Sequence, residues 1–203
     1  RARPGCWAAA IARGASPLTH VPLHAYAPNS TTNDVSAYSI NAGTGALGSV
    51  GAAVGSQGVA PSSLAVDPRG QFAYVTNSTD GTVGIYTRNA STGALSIFLS
   101  VPSGLGARFV AIEPSGRFAY VANYDANTVS AFSIDPTTGM LSAIGVAVAA
   151  GTQPGCLAAD PSGRFVYATN FGSNNVSMYS INPLTGALSS VAAPVASGTG
   201  PTG

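Results

Sequence analysis

Apolar residues in this chain come in short runs, each closed by a cluster of Gly, Pro, Asn, Asp, Ser or Thr. Leu64-Ala65-Val66 and Phe72-Ala73-Tyr74-Val75 are apolar at successive positions rather than at alternate ones, which is the pattern of strands covered on both faces. Residues 61–66 read as a first strand. Asp67-Pro68-Arg69-Gly70 follows it with Asp first, Pro second and Gly fourth, an order that suits a type I turn. Residues 72–76 are aromatic and β-branched and predict a second strand, which Asn77 stops because Asn tolerates left-handed backbone and bonds nearby amides. Beyond a polar loop, residues 82–87 predict a third strand. Asn89-Ala90-Ser91-Thr92-Gly93 then turns the chain, with Gly93 supplying a positive φ, into a fourth strand over 94–101. No segment sustains a 3.6-residue period, so almost no helix is expected.

This unit repeats. The segment 67–77 recurs at 113–123 and at 160–170, offsets of 46 and 47, and Gly45, Gly139 and Gly186 hold the place of Gly93. Counted from the first strands, the copies run 4–60, 61–106, 107–153 and 154–200, and Pro201-Thr202-Gly203 begins a fifth in phase. The first copy is degenerate: it is longer and lacks the Asp-Pro-x-Gly turn. A period in the 40s made of short strands predicts propeller blades. Residues 1–203 are therefore read as a single all-β domain, a β-propeller of four-stranded antiparallel blades with four repeats in this chain, either a partial propeller or half of a larger ring. Stacking against neighbours on both sides explains strands without alternation. Crowding near the axis explains Ala65, Ala111 and Ala158, with Ala8 at the same phase.

The Tyr74-Val75-Thr76-Asn77 tetrad, the Asp-Pro-x-Gly-x-Phe-x-Tyr turn before it and the Thr-Gly-x-Leu turn after it resemble the YVTN-type repeats of the lactonase-like seven-bladed propeller family. The resemblance covers residues 61–200 throughout and 23–60 in part. It implies a propeller fold. It also implies either an enzyme similar to 6-phosphogluconolactonase or one of the family's secreted or surface repeat proteins. A typical member has about seven blades, and this chain has four.

Composition narrows the partners. Charged residues are 7% of the chain, far below the roughly 25% of ordinary soluble domains, so Ser, Thr, Asn and Gly must carry the solvation. A net charge of +1 leaves no basic stripe for nucleic acid. No apolar run is long and charge-free enough for a transmembrane segment. The absence of an initiator Met reads as a processed, excised or incomplete chain, and the location expected is secreted, periplasmic or cell-surface. Asp67, Glu113 and Asp160 occupy the same turn of different repeats, where a turn needs an acceptor, and Arg69, Arg117 and Arg164 beside them read as solvating groups. His20 and His24 have the spacing of half a zinc site without further ligands, and His24 aligns with Phe72 as a structural residue. Cys6 and Cys156 fall at matching phases on first strands and read as buried thiols, with pairing across the axis as the alternative. No cofactor, metal or catalytic set is expected.

Loops joining strands one to two and three to four lie at one end of a propeller and here barely vary. The opposite end varies freely, and it is expected to be the recognition face. Arg108 is the one charge at the head of an axial strand, where its counterparts are Ser62 and Gly155. With Tyr124, Asp125, Phe171 and Asp80 on neighbouring loops it forms the candidate ligand-binding set, Arg108 for an anion and the aromatics for contact. An arc of four such blades leaves both end faces bare, so self-association or further blades from the same parent protein is expected. The function expected is a non-enzymatic extracellular binding or assembly module. A lactonase-like hydrolase is the alternative and a subunit of an extracellular filament the second alternative.

Overall fold

The structure is a computed structural model that describes residues 10–12 and 23–202. Four separate antiparallel sheets follow one another along the chain, each with its strands in sequence order from the axis outwards. The first holds Ala10–Ala12, Leu23–Asn29, Asp34–Ile40 and Leu47–Ser49; the second Pro61–Val66, Phe72–Asn77, Thr82–Arg88 and Leu95–Pro102. The third holds Ala107–Ile112, Phe118–Asn123, Thr128–Ile134 and Leu141–Ala143; the fourth Pro154–Ala159, Phe165–Asn170, Asn175–Ile181 and Leu188–Ser190. Among the described residues there is no helix, hence none long and apolar enough to cross a membrane.

The blades depart from four simple strands in one respect. In the first, third and fourth sheets a short fifth strand, Val54–Gly55, Val148–Ala149 or Val195–Ala196, also pairs with the third strand. Each is the detached end of the outermost strand. Gly51 and Gly145, with φ of 65° and 62°, break that strand in the first and third blades, and Pro194, which has no amide to donate, falls at the break in the fourth. In the second blade residues 95–102 contain neither an internal Gly nor an internal Pro, and the strand runs unbroken.

Successive blades are joined by one repeated contact. Phe72 and Tyr74 of the second blade pack among Ala107, Val110, Ala119, Val121, Phe132 and Leu141 of the third. The Tyr74 hydroxyl, wholly buried, donates 2.9 Å to the Gly139 carbonyl in the third blade's outer turn. Tyr26 and Tyr120 make the same bond to Gly93 and Gly186, at 2.7 Å and 3.0 Å. Burial pushes the Tyr26, Tyr74 and Tyr120 hydroxyls above the ordinary tyrosine range, so they remain donors. The turn glycine is required twice over. Gly139 has φ of 74°, and a Cβ on it would stand 2.4 Å from the Phe72 ring.

The contact between the first and second blades is the polar member of the series. His24 takes the place of Phe72 and Arg88 that of Ile134, and both are buried. Arg88 donates to the Tyr26 hydroxyl at 2.6 Å and to the Gly70 carbonyl at 2.7 Å, and its other terminal nitrogen lies 2.8 Å from His24 Nδ1. Because a guanidinium only donates, Nδ1 is the acceptor and the ring carries its proton elsewhere. His24 is thus structural, while His20 lies outside the described residues. Changing His24 to Phe alone strips a partner from a buried cation and is expected to cost about 1–3 kcal/mol. The pair His24→Phe with Arg88→Ile recreates the apolar contact of the next blade and is expected to match or exceed the original by about 1 kcal/mol. Thermal unfolding of the two variants checks the sign of each.

Cys156 is disulfide-bonded, which corrects its reading as a buried thiol. It is a sparsely exposed residue on a crowded axial strand. Cys6, the chain's other cysteine, lies outside the described residues.

Candidate functional site

The axial strands of blades two, three and four each begin with a bulge, and the bulged residues are Ser62, Arg108 and Gly155. A bulge leaves one residue out of the ladder and re-aims its side chain. At the third blade that side chain is a guanidinium. It lies 4.7 Å from the centre of the Tyr124 ring, a cation–π distance. Tyr124 is buried beneath it, and Arg108 itself is only 9% exposed.

Gly106 seats this cluster. Its φ of 72° brings the approach to the axial strand against the loop after the second strand, where Tyr124 N donates to the Gly106 carbonyl at 2.8 Å and Ala126 N to the Leu105 carbonyl at 3.1 Å. A Cβ on Gly106 would lie 2.7 Å from Asp125 Oδ2, so the exposed carboxyl of Asp125 borders the same spot. Arg108, Tyr124 and Asp125 therefore form one cluster at the variable end. The Arg108 carbonyl is held in turn by Ser62 Oγ at 2.8 Å and Thr76 Oγ1 at 3.2 Å from the second blade.

Phe171 and Asp80 occupy corresponding loops of other blades. Phe171 is half-buried; its amide donates to the Gln153 carbonyl at 2.9 Å and its ring lies against Gly200. Asp80 is exposed and accepts the Val59 amide at 2.7 Å, which makes it a loop brace. Among the described residues no group of three or more His, Cys, Asp or Glu side chains could hold a metal.

A cavity of about 340 Å³ opens at the opposite end, between blades three and four. Glu113, Ser115, Arg117, Phe118, Ser162 and Arg164 line it. The Glu113 carboxylate accepts the amides of Ser115, Arg117 and Phe118 at 2.7, 2.8 and 3.2 Å and bonds the Ser115 hydroxyl. Burial pushes its pKa up, but those bonds together outweigh burial and hold it below the ordinary glutamate value. Asp160 does the same for blade four: its bond to the Ser162 hydroxyl leads, and with the backbone amides brings it down to about 2. Arg117 reaches across to donate to the Pro183 carbonyl at 2.9 Å and lies over Phe118 at 5.0 Å, so it joins blades as well as solvating the turn. Reading the turns one copy at a time hides this cavity, because its walls come from two copies. The recurrence of Arg at 117 and 164 is its one signal in the sequence.

No curated protein matches the chain in sequence. Among solved structures, a 6-phosphogluconolactonase candidate from Bacteroides uniformis superposes with a TM-score of 0.77 at 20% identity, covering 95% of this chain and 56% of that one. A protein from Lactobacillus plantarum gives 0.76 at 21%, covering 95% and 60%. The periplasmic gluconolactonase of Pseudomonas aeruginosa gives 0.70 at 25%, covering 87% and 52%. The chain thus spans somewhat more than half the length of each. In sequence, residues 7–105 and again 103–201 match the family described as lactonase, seven-bladed β-propeller. Each match takes in two of the four sheets, with the Tyr-to-Gly contact repeated from blade to blade, and the chain belongs to the lactonase family of seven-bladed β-propellers.

Proposed function

We propose that this chain contributes to the hydrolysis of a sugar lactone, with the Arg108 cluster as the place where the lactone is held. One observation carries the reading: both halves of the chain match the lactonase propeller. The gluconolactonase from Pseudomonas aeruginosa, at 25% identity, supports a sugar lactone as the substrate class. That protein is periplasmic, which supports an exterior location for this chain as well. Lactone opening adds water to the ring carbonyl, breaks the ring C–O bond and passes a water proton to the departing alkoxide. Arg108 supplies donors for the oxyanion that develops on the carbonyl oxygen. Asp125, bordering the same spot, is the acceptor for the proton of the attacking water.

The assay separates this reading from that of a binding or assembly module. Proton release from gluconolactone by the purified chain should exceed spontaneous opening. Arg108→Ala should lower kcat/KM about tenfold, or about 1.4 kcal/mol, while Asp80→Ala leaves it unchanged. Lactone opening no faster than the uncatalysed reaction defeats the hydrolase reading and leaves the binding module.

A further inference from the structure

The ladder does not fix the bulge that carries Arg108. It pairs Ala107 with Asn123 and Phe109 with Ala122 and steps over residue 108. The direction of a side chain follows from the planes of the peptides on either side of it, and at a bulge the ladder no longer sets those planes. Something else must.

The donors come from the second blade. Ser62, the bulged residue there, has its Oγ 2.8 Å from the Arg108 carbonyl and 3.3 Å from the Ala107 carbonyl. Thr76 Oγ1 lies 3.2 Å from the Arg108 carbonyl and 3.0 Å from Ser62 Oγ. A hydroxyl has one proton to give. That of Ser62 goes to the Arg108 carbonyl, the shortest of its contacts, and that of Thr76 goes to the same carbonyl or to Ser62 Oγ and backs the bond either way. Thr76 is wholly buried, where such a bond is stronger than in water.

The next junction is built differently. Residues 62, 108 and 155 are in phase, as are 76, 122 and 169. Between blades three and four the places of Ser62 and Thr76 are therefore taken by Arg108 and Ala122, and the bulge they face is Gly155. Neither has a hydroxyl, and the glycine has no side chain to aim. The hydroxyl pair is thus not a requirement of the repeat. It stands where the facing bulge bears the guanidinium of the candidate site.

We infer that Ser62 and Thr76 are positioning residues for Arg108: acting on its carbonyl from the neighbouring blade, their hydroxyls hold the guanidinium 4.7 Å from the centre of the Tyr124 ring and on the side where Asp125 borders the cluster. What Arg108 does there rests on the lactonase reading; how it is held does not. Donors to a developing oxyanion must be held to a fraction of an ångström, so loosening this bulge acts on turnover more than on substrate binding.

Ser62→Ala combined with Thr76→Val removes both hydroxyls with little change of shape, while Thr76→Ser keeps its hydroxyl. One readout is independent of any activity. The ring current of Tyr124 shifts the Arg108 side-chain protons upfield in the NMR spectrum, and loss of that shift in Tyr124→Leu assigns it. The double variant should lose most of the shift and Thr76→Ser should keep it, with amide resonances away from the bulge unchanged as proof of fold. In lactone opening the double variant should lower kcat about fivefold with KM within about twofold of the original, and Thr76→Ser should retain the original kcat. Placed in an Arg108→Ala background, the same pair of substitutions should change nothing further, whereas a role in the fold alone would cost the same factor in both backgrounds. Should the double variant not fold, Ser62→Ala alone gives the same comparisons at smaller size. A ring-current shift intact in the folded variant, or equal losses in both backgrounds, overturns the inference. A chain that opens no lactone defeats the proposed function only, and the ring-current shift then decides the positioning by itself.

Discussion

Gly139→Val is expected to destabilise the fold by about 4 kcal/mol, while the same change at Gly45 costs about 1–2 kcal/mol. The two glycines hold the same place in their turns, with φ of 74° and 73°, so left-handed strain from a β-branched residue is common to both. Only the neighbour differs. At Gly139 the new Cβ would stand 2.4 Å from Phe72 Cδ1, whereas at Gly45 it would find open space. Phe72 is 7% exposed and packed on its far side, so its ring has nowhere to retreat and the joint between blades two and three must open. The Tyr74 bond to the Gly139 carbonyl is lost with it. Urea unfolding followed by circular dichroism, at concentrations below any self-association, measures both. Should Gly139→Val not fold at all, Gly139→Ala offers a milder version of the same comparison against Gly45→Ala. Equal costs at the two positions would show that strain, not the inter-blade contact, is what the turn glycine serves.

The same pair of glycines marks how much of this molecule could be read in advance. Strand positions followed from local chemistry: turns such as Asp67 to Gly70 and runs such as 72–76 announce themselves within a few residues, and the structure places strands at Pro61–Val66 and Phe72–Asn77. The repeat then supplied the architecture. What touches what across blades was not readable in the same way. Tyr74 and Gly139 are 65 positions apart, and nothing local to either residue points to the other. The buried set His24, Arg88 and Tyr26 escaped for the same reason, since a lone Arg at the end of a strand reads as solvated until a histidine from the preceding blade is placed against it. Of the binding candidates, the sequence placed Arg108 at the head of an axial strand. The bulge between Ala107 and Phe109, which decides where the guanidinium points, and the burial of Tyr124 beneath it are consequences of ladder register. The disulfide at Cys156 stood in the sequence only as the alternative to a buried thiol, because matching phase in two repeats fixes depth from the propeller's ends and not the distance between the strands.

Glu113→Ala is expected to cost about 3 kcal/mol at neutral pH. The carboxylate is 4% exposed and accepts three backbone amides besides the Ser115 hydroxyl. Those amides belong to a tight turn between two strands and have no other acceptor nearby, so removing the carboxylate leaves donors unsatisfied, each worth about 1 kcal/mol or more. Glu113→Gln separates shape from charge. It keeps one oxygen in place, loses the charge-assisted strength of the bonds, and should cost about 1–2 kcal/mol. The pH dependence follows from the sign of the shift. Glu113 titrates below its unfolded value when folded, so the unfolded chain takes up its proton first. The stability it contributes is fully present above the ordinary glutamate range and is lost as pH falls through the folded pKa. Asp135 and Asp160 act in the same sense, the last down to about 2. The protein should therefore lose stability steadily on acidification below about pH 5, and Glu113→Gln should flatten that slope because one of its titrating groups is gone. Urea midpoints taken at neutral pH and at intervals down to strongly acid conditions measure both. A slope unchanged by Glu113→Gln would mean that the carboxylate's bonds are as strong in its protonated form, and that the charge in this turn contributes nothing to holding the blade's two inner strands together.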